Sequence, residues 1–169
     1  MSHAVLAIVA VLAAAGLVPA VASAAPPAPS GPAAVQRAVD DYLAGHPGGK
    51  QVSATDIAYG DGAFVVSVVR PDPRTAASAD CPRGWFCFYD RIDFGYPRGK
   101  LSDCGLQDLA EWQWRNRTES VHYNMSTGST SFINDGSPDT ILFTVSTTRR
   151  TIANVGTHRN KADYVYRTC

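Results

Sequence analysis

The stretch Cys81-Pro-Arg-Gly-Trp-Phe-Cys87-Phe-Tyr-Asp-Arg-Ile-Asp-Phe94-Gly95 decides how the chain folds. Two cysteines six positions apart, with Pro82 and Gly84 between them, suit a small closed loop. Trp85–Tyr89 is an aromatic run of strand type, and Asp90–Asp93 comes next with the polar composition of a turn. Downstream, short β-type runs alternate with turn clusters. The runs are Lys100–Ser102, Trp112–Trp114, Ser120–Asn124, Ser129–Ile133, Thr140–Ser146 and Asp163–Arg167. Tyr96-Pro97-Arg98-Gly99, Asn134-Asp135-Gly136-Ser137-Pro138 and Gly156 separate them, and any helix is a single turn around Leu106–Glu111. Strands at this spacing without helices between them predict a mainly β sandwich or Greek-key barrel over residues 80–169.

Upstream the pattern changes. Ala33–Ala44 places Val35, Ala38, Val39, Tyr42 and Leu43 on one face of an amphipathic helix, which His46-Pro47-Gly48-Gly49 ends. Gln51–Tyr59 and Ala63–Val69 flank Gly60-Asp61-Gly62 and read as a β-hairpin. This helix and hairpin extension, residues 33–70, is too small to bury a core alone, so it docks on the downstream β domain or serves as a prosegment. A polar linker, 71–79, joins it to the β domain, and a Pro-rich linker, 25–32, precedes it.

Residues 4–18 form an unbroken apolar run of the length of a signal-peptide core, shorter than the about 20 residues that span a bilayer. Pro19 breaks the run, and Ala22-Ser23-Ala24 supplies the small-x-small cleavage pattern. The expectation is a signal peptide over 1–24, cleavage near Ala24 and a secreted, extracellular protein with no membrane span. All four cysteines (Cys81, Cys87, Cys104, Cys169) lie beyond that point, and an even count in an oxidising compartment reads as two disulfides. Of the three possible connectivities, spacing favours Cys81–Cys87 with Cys104–Cys169, the second stapling the chain end to the domain. Zinc is the competing use of the cysteines, but there is no CxxC and the histidines lie far away in sequence.

The Cys81–Gly95 segment resembles the opening of the βγ-crystallin-like exported proteins of actinobacteria, grouped with the streptomycete metalloprotease inhibitor. Ser120-Val-His-Tyr-Asn124 resembles the stretch that succeeds the second half of the same motif. The resemblance implies a βγ-crystallin-like Greek-key sandwich with Tyr89, Phe94, Gly95, Ser120 and Asn124 as its signature. In that fold a hairpin folds over so that Tyr89 packs near Phe94, while a nearby Gly permits a positive φ. It also implies protease inhibition through an exposed, rigid loop. In the family's inhibitor a second short disulfide holds that loop; no loop here matches it, so no reactive bond carries over. The family's calcium site corresponds to Arg115-Asn116-Arg117-Thr118-Glu119-Ser120, where Arg stands in place of an oxygen ligand and opposes the ion. No metal is assigned.

Other chemistries find little support. Fifteen Lys+Arg balance fifteen Asp+Glu, so the basic excess that nucleic-acid binding requires is absent. There is no HExxH, GxSxG or P-loop. His46 falls in a helix-ending turn, His122 in a strand and His158 in a loop, and nothing aligns any of them with a nucleophile. Asp90 and Asp93 are turn residues before they are an acid–base pair. No catalytic residue and no cofactor is assigned, and the protein is read as a non-enzyme. Trp112 and Trp114, on one face if the segment is a strand, offer a second reading: a ligand-stacking platform of a module that binds cell-envelope polysaccharide. Their competing role is as core aromatics of a small β domain.

Overall fold

The structure is a computed structural model that describes residues 31–72 and 78–169. The expected signal peptide, most of the 25–32 linker and residues 73–77 lie outside the described residues. One helix, α1 (Pro32–Gly45), starts with proline in its first turn, where a missing N–H is harmless, and buries Val39 and Tyr42. Eleven strands come after it: β1 (Lys50–Gln51), β2 (Asp56–Tyr59), β3 (Phe64–Ser67), β4 (Phe86–Arg91), β5 (Gly95–Leu101), β6 (Gly105–Asp108), β7 (Ser120–Tyr123), β8 (Ser129–Asn134), β9 (Thr140–Ser146), β10 (Thr151–Ile152) and β11 (Tyr164–Thr168). They form a seven-stranded sheet in the order β1-β2-β3-β5-β4-β7-β10 and a four-stranded sheet in the order β6-β11-β8-β9. Every pairing is antiparallel, as in a Greek-key sandwich. No helix among the described residues is long and apolar enough to cross a membrane.

The sheets meet through aromatic side chains. Phe88 of β4 packs edge-on against Phe132 of β8 with ring centres 6.0 Å apart, and Phe132 stacks on Phe143 of β9 at 4.7 Å. The extension belongs to this core. Its strand β3 pairs with β5 in the register Phe64↔Leu101 to Ser67↔Arg98, and fully buried Phe64 stacks on Trp112 at 4.8 Å and meets Trp114 edge-on at 5.6 Å. Gly99 is required where these rings converge, because a Cβ there would stand 2.7 Å from Phe88 and 2.8 Å from Phe64.

Several expected boundaries change. Gln51–Tyr59 is not one strand but contributes to two, β1 and β2, which pair with each other, and the single helical turn expected around Leu106–Glu111 begins only at Leu109, after β6. Tyr96-Pro97-Arg98-Gly99 is not a turn but the body of β5. Pro97 is tolerated because it faces the irregularity between Tyr89 and Arg91 on β4 and lies outside the register with β3. Nor is Trp112–Trp114 a strand. Leu109–Trp112 is a 3-10 turn capped by the Asp108 carboxylate, and Gln113 is left-handed at φ 55°.

Both disulfides are present, Cys81–Cys87 with Cα atoms 5.6 Å apart and Cys104–Cys169 at 5.8 Å. The second ties the end of β11 to the turn before β6. Buried Arg167 lies against both its sulfurs and donates to the Ser102 carbonyl at 2.8 Å.

Candidate functional site

β4 is buried on both sides. Phe86 and Phe88 enter the core shared with the second sheet, whereas Cys87 and Tyr89 join Cys81 and Phe94 on the opposite face, partly covered by Ala79, Trp85 and Tyr96. From that face the Cys81–Cys87 loop projects, with Pro82, Arg83 and Gly84 exposed. The Trp85 N–H donates to the Pro82 carbonyl and closes a tight turn, with Gly84 at φ 84° in the position where such a turn needs glycine.

Asn124 braces this turn from beneath. Its carbonyl accepts from the Gly84 N–H at 2.9 Å, its own N–H donates to the Trp85 carbonyl at 3.0 Å, and its side-chain amide donates to the Cys81 carbonyl at 2.8 Å. The Cys81 N–H donates to His122 Nδ1 at 3.0 Å, which makes that nitrogen the acceptor of a neutral ring. Burial lowers the tendency of His122 to protonate, with Arg150 and Arg98 adding to the effect and Asp80 opposing it. Disulfide and hydrogen bonds thus hold both ends of the exposed turn. The Arg83 side chain has no polar partner among the described residues.

Asp80 anchors the segment that leads into the loop. Its carboxylate accepts from the Tyr96 hydroxyl at 2.6 Å, Arg70 at 2.8 Å, the Tyr89 hydroxyl at 2.9 Å and Arg98 at 3.1 Å. Burial pushes the Asp80 pKa up, but Tyr96, Arg98, Tyr89 and Arg70 together outweigh it and hold the carboxyl below its ordinary range. The same burial, with the neighbouring carboxylate, drives both phenols well above theirs. Arg98, almost wholly buried, also donates to the Asp80 carbonyl and to Ser67 Oγ of β3, each at 2.8 Å. Arg70 donates to the Phe94 carbonyl at 2.8 Å.

Tyr89, Phe94, Gly95 and Ser120, expected as fold-signature residues, have distinct roles. Tyr89 and Phe94 meet edge-on at 5.5 Å. The positive φ angles at this fold-over belong to Asp93 (54°) and Phe94 (58°), not to Gly95. Gly95 is needed for a different reason: a Cβ there would approach the Arg91 Cβ to 2.7 Å. Ser120 Oγ closes the turn, donating to the Arg91 carbonyl at 2.7 Å and accepting from the Phe94 N–H at 3.0 Å.

Trp112 and Trp114 are 8 % and 0 % exposed, so the expected stacking platform is corrected. The 3-10 turn and left-handed Gln113 carry both rings into the aromatic core instead of along a strand face. In the stretch 115–120, the Arg117 guanidinium pairs with both Asp90 oxygens at 3.0 and 3.1 Å and lies 4.3 Å from the Trp114 ring centre. It also reaches the Tyr42 hydroxyl and His46 Nε2 of the α1 end at 3.3 and 2.9 Å, so a cation supplied by the chain ties the helix to the β domain. Arg115 pairs with Asp108 at 2.8 Å. No group of three or more metal-ligating side chains occurs among the described residues.

Residues 74–143 match the family model described as peptidase inhibitor family I36. The matched stretch is 70 of the 169 residues. No curated protein and no solved structure matches the chain. The I36 match takes in the stapled loop, Asp80, Arg98 and Asn124, and it ends within β9. It leaves out α1, β1–β3, β10, β11 and Cys169, although β3 pairs directly with β5 in the sheet on which the I36 region is built. Sequence reading missed Asp80, Arg98 and Asn124 as a bracing set. The one available signal was Asp80 standing directly before a cysteine that opens a short loop; the convergence of Arg70 and Arg98 on it depends on the sheet order.

Proposed function

We propose that the protein is an exported, non-catalytic protease inhibitor directed at secreted metalloproteases, and that Pro82-Arg83-Gly84 is the segment that enters the protease cleft. The match to an inhibitor family carries the reading. Two disulfides suit an oxidising compartment, and the apolar run at 4–18 with Ala22-Ser23-Ala24 suits export. The exposed turn is fixed before binding, so little conformational entropy is lost on contact. A turn closed by its own hydrogen bond differs from the extended backbone a protease cleaves, so it fills the cleft as a wedge and stays uncut. The polysaccharide reading drew on an exposed Trp112 and Trp114, and both are buried.

Titration of Ala25–Cys169 against a thermolysin-like and a subtilisin-like protease tests the proposal. The expected result is stoichiometric inhibition of the thermolysin-like enzyme with the inhibitor left intact, and an affinity loss of about tenfold or more in Arg83→Ala. Absence of inhibition of either enzyme, with both disulfides formed, overturns it.

A further inference from the structure

Away from the stapled loop, a cavity of about 370 Å³ opens between β9, β10 and the 3-10 turn Gly156–His158. Its apolar lining is Leu142, Phe143, Ile152 and Val155, and its polar rim includes Arg149, Thr157 and His158. The walls are fixed by backbone bonds. β10 is paired with β7, the Val155 N–H donates to the Glu119 carbonyl at 3.0 Å, and the Arg149 carbonyl accepts from the Ser146 N–H at 3.1 Å. Of the polar lining, Asn154 Oδ1 accepts from the Gly156 N–H at 2.8 Å, and the other rim side chains are uncommitted. Among the described residues the Arg149 guanidinium and the Thr157 hydroxyl have no polar partner, and the His158 ring touches only the Phe143 ring, 6.2 Å away. Among the described residues no acidic side chain lines the cavity.

We infer that this cavity binds a carboxylate carried on a short apolar stem, the chemistry shared by a peptide carboxyl terminus ending in an aliphatic residue and by a free short-chain acid. A guanidinium presents parallel N–H donors that match a carboxylate, and a partnerless one at a pocket rim is available for it. Phe143, Leu142, Ile152 and Val155 take the stem out of water, and the volume lies in the range of small-ligand sites. The site stands apart from the stapled loop and does not depend on the inhibitor reading. Peptide hydrolysis is the class of reaction that would supply a peptide terminus.

The test is amide chemical-shift titration of Ala25–Cys169 with N-acetyl-leucine, N-acetyl-leucinamide, N-acetyl-glycine, N-acetyl-alanyl-leucine and hexanoate. Saturable shifts confined to Leu142–Phe143 and Ile152–His158 are expected with N-acetyl-leucine. The amide, which lacks the charge, and N-acetyl-glycine, which lacks the stem, should each bind about tenfold more weakly. Arg149→Gln should abolish the preference for acid over amide while leaving shifts elsewhere in the spectrum unchanged. Tighter binding of the dipeptide than of hexanoate assigns the ligand as a peptide terminus, and the reverse order assigns a free acid. Equal binding of acid and amide, an unaltered preference in Arg149→Gln, or shifts outside these segments overturns the inference.

Discussion

On one side of β4, Phe86 and Phe88 sit in a dry aromatic core; one residue along, Cys87 and Tyr89 face a disulfide and a phenol–carboxylate–guanidinium network. The two sides are equally buried, so burial does not distinguish them. On the aromatic side, rings from α1, β2, β3 and both sheets pack by shape, and that attraction is non-directional. On the other side directed bonds between named atoms, with Asp80 as the hub, add to the ring contact of Tyr89 with Phe94. Shape packing supplies most of the stability, while directed bonds fix the position of a few atoms. The exposed turn that contacts a protease in the proposed function projects from the directed side, where its position is best determined.

Phe64→Ala breaks the aromatic side most severely. The ring is fully buried against Phe88, Trp112 and Trp114, so its loss should destabilise the protein by about 4 kcal/mol in urea unfolding. Phe64 lies in the extension, outside the family match, and the loss should appear in the single unfolding transition of the β domain. A separate early transition with the main midpoint unmoved would show the extension to be an accessory.

Asp80→Asn attacks the directed side. Arg98 is then left almost buried without its carboxylate, and a broken buried pair costs about 3–5 kcal/mol. The Asp80 side chain is itself 27 % exposed, which reduces the expectation to about 2–3 kcal/mol. Since the network positions the loop, inhibition should weaken in a protein that remains folded at assay temperature. A stability loss below about 1 kcal/mol would mean that Arg98 is satisfied by Ser67 and the Asp80 carbonyl alone.

Asn124→Ala is milder. It deletes the side-chain bond to the Cys81 carbonyl and keeps both backbone bonds, for an expected loss of about 1 kcal/mol in stability. Its effect on inhibitor affinity should exceed its effect on stability, because a loosened turn must be ordered on binding. Equal effects would assign Asn124 to the fold and not to the loop.

The two sides also differ in how far they can be read in sequence. Thr140–Ser146 is β9 residue for residue, and the 33–44 helix and the cysteine pairs were legible, because period, punctuation and loop closure are local signals. The aromatic core was half legible. Trp112 and Trp114 carry the apolar content of a core, but a left-handed Gln113 breaks the strand alternation and nothing in the residue type announces it. Tyr96-Pro97-Arg98-Gly99 has the composition of a turn and lies in β5, since a bulge opposite Pro97 and a ring pair opposite Gly99 are long-range facts. The directed network was the least legible. Arg70, Asp80 and Arg98 are at least ten residues apart, and only the order β3-β5-β4 brings them together.

The smallest expected effect is on pH dependence, and it sharpens the contrast because His122 and Asp80 both lie on the directed side. His122 is held neutral in the folded protein, mainly by burial, so its folded pKa lies below the unfolded value. Its contribution is therefore complete above the unfolded histidine pKa of about 6.5 and is lost as pH falls through the lower folded value. Protonation also removes the Nδ1 lone pair that accepts from Cys81. Asp80 acts in a lower window: its folded pKa is depressed, so its contribution is present above the unfolded carboxylate value near 4 and lost as pH falls below that. Stability measured in urea from pH 7.5 to 5 should decline slightly in the wild type, with a shallower slope in His122→Asn. His46→Gln, which removes the Nε2 that accepts from Arg117 at the end of α1, is measured alongside as a control for a histidine change away from the loop and should leave the slope as in the wild type. An unchanged slope in His122→Asn would show that the acid sensitivity does not arise at the stapled loop.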